Sequence, residues 1–152
     1  MEEDINFQKA INHLFKLEGG YSDNKYDKGG ETNYGITQKT YSTYLKKQNF
    51  QNKTVKNITK EEAISIYYQE YWLLSGANKI IDFKLAYLLF DACVNHGLGC
   101  GKSLYKNSNG DFQKFIDLRR EKYFAIVKNN PKQKIFLNGW LNRLAYINKH
   151  FL

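Results

Sequence analysis

Apolar residues recur at helical spacing along the first eighteen positions. Ile5, Ile11, Leu14, Phe15 and Leu17 form a stripe over residues 4–18, and Gly19-Gly20 stops it. Residues 21–36 are rich in Gly, Asp, Asn and Tyr and predict a short hairpin or irregular loop. A second helix is expected from about Thr37 to Lys47. Thr59-Lys60-Glu61-Glu62 has the form of a capping box, with Thr59 as N-cap, opening a helix that runs through Tyr71-Trp72. Residues 82–96 are strongly apolar, and Gly97, Gly99 and Gly101 are expected to end that segment. A helix over about 111–129 stops before Pro131, and a last one covers roughly 137–150. The pattern predicts a mainly α chain with one small β or irregular element near its N-terminus.

The length of 152 residues suits a single domain, 1–152, able to bury its own core. Hydrophobic residues at 42% and charged residues at 25% are ordinary for a folded protein and argue against global disorder. One Pro and no Gly/Ser tract leave no sign of a linker or repeat. Aromatic residues are abundant, with ten Phe, twelve Tyr and two Trp. Such rings stack on sugars, although most pack in cores and rims. Lys and Arg outnumber Asp and Glu by 23 to 15. The resulting +8 favours polyanionic partners, whether nucleic acid, anionic lipid or bacterial cell wall, without choosing among them. No apolar run approaches a membrane span, and the acidic start Met1-Glu2-Glu3-Asp4 is unlike a secretory signal. Cys93 and Cys100 lack metal-site spacing; reduced thiols are expected, or a local disulfide if the protein works outside the cytoplasm. Neither a metal nor a cofactor is expected.

Chemistry concentrates in Leu17-Glu18-Gly19-Gly20-Tyr21 and in Asp27-Lys28-Gly29-Gly30-Glu31-Thr32-Asn33-Tyr34-Gly35-Ile36-Thr37. Glu18 falls at the C-terminal end of a helix, where a negative side chain opposes the helix dipole and costs roughly 0.3–1 kcal/mol if exposed. A residue that stability disfavours asks for another reason. A glycosidase supplies one, since it needs a carboxylic acid beside the scissile oxygen. Asp27 lies in a polar, Gly-flanked loop suited to an ionised carboxylate, and Thr32 is placed to hold a water against it. Taken singly, these are a solvated Glu before a Gly cap, a turn-forming Asp and a strand Thr. Their joint spacing is what points to paired acid and base roles.

That segment resembles the N-terminal signature of glycoside hydrolase family 108, whose members are N-acetylmuramidases, some described as secretion activators. The Glu–Asp–Thr order also resembles the phage-type lysozymes of family 24. The resemblance implies a lysozyme-like α+β fold, with Glu18 as catalytic acid, Asp27 as the second carboxylate and Thr32 as the water-positioning hydroxyl. Tyr21 and Tyr34 are candidate substrate-binding residues in the same motifs. Lys28 stands where the family usually carries Pro. Phe90-Asp91-Ala92-Cys93-Val94-Asn95-His96-Gly97 and Asn138-Gly139-Trp140-Leu141-Asn142-Arg143 resemble the family's C-terminal half. The implied organisation is a catalytic region over 4–97 and a helical peptidoglycan-binding region over 98–152. The Leu/Gln-rich helix usual between these motifs is expected to be missing.

Tyr87, Asp91 and Asn95 are four apart and share one face of the 82–96 helix. A wet, substrate-binding cleft is the favoured reading of this stripe, and a satisfied buried network is the alternative. His96 reads as a helix C-terminal residue rather than a base. Trp140 and Arg143, three apart, could flank a saccharide or a peptide-stem carboxylate, but the favoured reading is that Trp140 packs in the core and Arg143 pairs with a buried acid.

The resemblance and the carboxylates together imply a peptidoglycan hydrolase acting on the β-1,4 bond between N-acetylmuramic acid and N-acetylglucosamine. The rivals are a non-catalytic peptidoglycan-binding or secretion-assisting protein and, on charge alone, a nucleic-acid binder. The expected partner is bacterial peptidoglycan, not nucleic acid, and the expected state is a monomer. Synthesis in the cytoplasm without a signal peptide implies that a holin or an export system, as in a prophage endolysin, brings the protein to the periplasm or wall.

Overall fold

Asp4 starts the first helix by accepting a hydrogen bond from the Phe7 N–H at 2.9 Å, satisfying one of the amides that a helix leaves open. The computed structural model describes residues 4–23 and 30–151. Helix α1 spans Ile5–Leu17 and buries Phe7, Ala10, Ile11 and Leu14, a stripe at helical spacing. Ile11 and Leu14 belong to the expected stripe, whereas Ile5 is 64% exposed. The chain leaves α1 at Glu18, whose backbone is already extended while its N–H still reaches the Leu14 carbonyl at 2.9 Å.

Three short strands follow, β1 (Ser22–Asp23), β2 (Glu31–Asn33) and β3 (Ile36–Thr37), paired antiparallel in that order. Asn33 pairs with Ile36, so the β2–β3 connection is the two residues Tyr34-Gly35. Both have positive φ, 52° and 76°. This is the pattern of a type I′ turn, whose twist matches that of the flanking strands. The expected hairpin is therefore present and very tight. Helix α2 spans Gln38–Lys47 with Thr37 as N-cap. Helix α3, Lys60–Ile66, opens with the expected capping box, in which Thr59 and Glu62 each accept the other's backbone N–H. It continues into a π-helical stretch, Tyr67–Leu73, so the predicted helix through Trp72 is present but wound more widely in its second half.

Helices α4 (Phe83–His96), α5 (Leu98–Ser108), α6 (Phe112–Asn129) and α7 (Leu137–Phe151) complete the chain. Every residue of α4 from Ala86 to Cys93 is buried. Helix α4 ends at His96 with Gly97 as its C-cap, as expected, whereas Gly99 and Gly101 lie inside the next helix. Gly97, at φ 93°, makes a one-residue corner and α5 begins at once. A Cβ on Gly101 would lie 2.6 Å from the Cys93 backbone nitrogen and sulfur. Gly101 is thus the residue that lets α5 lie directly against α4.

The described residues form a mainly α structure with a small antiparallel sheet, as the pattern and the resemblance predicted. The chain divides into two compact units, Met1–Glu70 and Tyr71–Leu152. This division falls inside the expected 4–97 region, and α4 and α5 belong to the same unit. No described helix is long and apolar enough to cross a membrane.

Candidate active site

The Met1–Glu70 unit carries a surface depression of about 440 Å³, with Glu18 and Gly19-Gly20 along one part of its lining. Phe15, Asn33, Tyr34, Ile58 and Lys60 line the rest. Its size falls in the range of small-molecule sites. Glu18 reaches it because α1 ends there, and the two glycines that follow leave space for which no side chain competes.

The β2–β3 turn sets the carboxyl's position. A Cβ on Gly35 would lie 2.5 Å from Glu18 Oε2, 2.6 Å from its Cδ and 2.7 Å from the Tyr67 hydroxyl. Only glycine fits that space, and its left-handed backbone is one that other L-residues adopt at a cost. The turn is itself held on both sides. The Tyr67 hydroxyl donates to the Tyr34 carbonyl at 2.5 Å, and the Asn33 side-chain oxygen accepts the Tyr34 N–H at 3.0 Å. The Asn33 amide donates to the Lys56 carbonyl at 3.0 Å, tying the strand to the segment before α3. Phe15 packs its ring 5.6 Å from that of Tyr34 and 6.1 Å from that of Tyr67, making an aromatic wall.

The structure therefore brings together Glu18 and Tyr34 of the expected site residues, and adds three. Tyr67, Phe15 and Lys60 carried no signal in a local motif, because their roles depend on contacts far away in the chain. Tyr21 is exposed at the edge of β1, with the Lys56 ammonium 5.5 Å from its ring centre. Thr32 is the middle residue of β2, paired with Ser22 and Thr37. Among the described residues, the depression is lined by its neighbours Asn33 and Tyr34 but not by Thr32. Asp27 lies outside the described residues.

The polar stripe of α4 is the network rather than the wet cleft. Tyr87 and Asp91 are both fully buried. Arg119 Nη1 donates to Asp91 Oδ2 at 2.8 Å, Arg143 Nη2 to Oδ1 at 2.9 Å, and the Tyr87 hydroxyl to Oδ1 at 3.1 Å. Asn95 accepts a hydrogen bond from Tyr123, which in turn accepts from Arg119. The carboxylate that was expected to meet sugar hydroxyls is thus fully occupied by two guanidiniums and a phenol. Burial opposes its ionised form, yet Arg143 and Arg119 outweigh burial and hold the Asp91 carboxyl down to about 2. Burial first, and then the Arg119 charge, push His96 down to about 3. The imidazole is neutral at pH 7 and accepts the Arg119 Nε–H at 3.1 Å through Nε2, so its own proton sits on Nδ1. His96 is the last residue of α4, the helix C-terminal position that its sequence suggested. Arg143 pairs with a buried acid, and Trp140 stacks on Tyr123 with centroids 5.1 Å apart, both as anticipated. Cys93 and Cys100 are unpaired, and burial pushes the Cys93 thiol up to about 12.

The family model of glycosyl hydrolase 108 matches residues 11–97, more than half the chain, and spans both carboxylates and the hairpin. The chain belongs to glycosyl hydrolase family 108. Membership carries a glycosyl-hydrolase-type function. Among solved structures, SagA of Brucella abortus is similar in fold: at 24% identity the superposition covers 94% of this chain and 91% of that one, with a TM-score of 0.75. No curated protein matches the chain. Among the described residues of this family member, no three His, Cys, Asp or Glu side chains converge as a metal site.

Proposed function

We propose that the protein is a peptidoglycan hydrolase, an N-acetylmuramidase that cleaves the β-1,4 bond between N-acetylmuramic acid and N-acetylglucosamine. The observation that supports it most is the Glu18 carboxyl, set against Gly35 in a depression walled by Phe15 and Tyr34. Aromatic faces suit sugar rings, and a carboxylic acid among them suits proton delivery to a glycosidic oxygen. Glu18 is the general acid of this reading. Asp27, with Thr32, activates the attacking water on the opposite face of the ring; these two roles rest on the family motif. Activation of water by a second carboxylate implies inversion of the anomeric centre. The +8 charge assists capture by the anionic wall. The protein's place of action is the periplasm or wall, reached through a holin or an export route, as in a prophage endolysin.

Turbidity clearing of outer-membrane-stripped cells tests the reading. Wild type clears them and Glu18→Gln does not; full activity in Glu18→Gln overturns the mechanism. Binding to purified sacculi without any released muropeptide would favour the binding-module alternative instead.

A further inference from the structure

Among the described residues, two charges line the Glu18 depression, and each stands where its own helix disfavours it. Glu18 closes α1 at the negative end of that helix's dipole. Lys60 is the first residue of α3, at the positive end of its dipole. Neither placement is explained by helix stability. Two lysines of this unit meet carboxylates, Lys47 meeting Glu70 at 2.8 Å and Lys53 meeting Glu62 at 3.6 Å, but neither lines the depression. Lys60 is exposed, and among the described residues its ammonium has no carboxylate partner. It rests instead 5.8 Å from the centre of the Phe15 ring, the ring that walls the depression beside Tyr34. A cation over an aromatic face is held in place yet keeps its N–H donors for a ligand.

We propose that Lys60 forms a carboxylate-binding subsite beside the Glu18 acid, so that this depression selects a glycan carrying acidic substituents over a neutral one. The inference rests on the reading of the depression as the saccharide site. In peptidoglycan the carboxylate has two sources, the lactyl ether of muramic acid and the peptide stem attached to it. A single ammonium on a flexible stem binds either as a point charge. The aromatic wall then takes the apolar face of the sugar while Lys60 fixes its acidic edge, which orients the ring relative to Glu18.

The test is binding of soluble glycan strands in a Glu18→Gln parent, compared with the same parent carrying Lys60→Met or Lys60→Arg. Four strand preparations are used: amidase-stripped, with free lactyl carboxylates; stem-bearing; and each of these after conversion of its carboxyls to methylamides. Lys60→Met is expected to weaken carboxylate-bearing strands about tenfold and methylamidated strands hardly at all, with Lys60→Arg close to the parent. A loss on stripped strands assigns the lactyl group, and a loss confined to stem-bearing strands assigns the peptide. Equal affinity of the parent and the Lys60→Met variant for all four preparations overturns the proposal, as does an equal loss on charged and neutralised strands. Cleavage of strands by the Glu18→Gln parent, or no binding of any strand by it, would instead overturn the underlying functional reading, and the subsite with it.

Discussion

Replacing Gly35 by alanine separates two effects that this structure makes distinct. The first is backbone strain: at φ 76° an alanine costs about 1–2 kcal/mol relative to glycine. For a chain of this length that lowers Tm by about 2–8 °C. The second is collision, because the new methyl would lie 2.5 Å from Glu18 Oε2, against an ordinary contact of about 3.5 Å. The carboxyl must therefore move by about 1 Å, and a catalytic group misplaced that far loses on the order of 100-fold in rate. Gly76→Ala is the control. Gly76 has φ 84° and nothing within 4 Å of its would-be Cβ, so it shares the strain without the collision. Thermal melts and turbidity-clearing rates on both variants read the two effects separately. Similar falls in Tm with activity lost only in Gly35→Ala is the expected outcome. Wild-type clearing by Gly35→Ala would refute the claim that this turn positions the acid.

Acid should destabilise the fold in two stages. Below its ordinary 6.5, His96 takes up a proton in the unfolded chain but not in the folded one until about 3, so stability falls across that window. Asp91 adds a contribution that is complete above its ordinary 3.8 and is lost as pH falls through about 2. Urea midpoints at pH 8, 5 and 3.5 should decrease in that order, and a flat series would contradict the network. Thr59→Ala removes half of the α3 capping box and should cost about 1 kcal/mol in urea unfolding. Gly101→Ala pushes a methyl into the Cys93 backbone and should cost at least about 1–3 kcal/mol by the same measurement.

What the sequence showed, and what it hid, follows the range of the interactions. The capping box joins Thr59 to Glu62 within one helical turn and was legible, as was the turn chemistry at Tyr34-Gly35. Glu18 was legible because a carboxylate at a helix end before two glycines is a local anomaly. Of the glycines after α4, Gly97 was legible as a terminator, but Gly101 misled because a helix terminator and a close-packing residue look alike in one dimension. Gly97 makes a corner while Gly101 admits Cys93, and only the packing tells them apart. The spacing of Tyr87, Asp91 and Asn95 correctly placed them on one face, but spacing does not say whether water or an arginine lies opposite. Arg119 and Arg143 arrive from 28 and 52 residues away. Tyr67, which holds the Tyr34 carbonyl across 33 residues, was hidden for the same reason.

The most direct test of the central claim is mass spectrometry of sacculi digested by wild type and by Glu18→Gln. Muropeptides ending in a reducing N-acetylmuramic acid from wild type, and none from Glu18→Gln, are the predicted result. Free stem peptides, anhydro-sugars, or an unchanged product pattern from Glu18→Gln would contradict it.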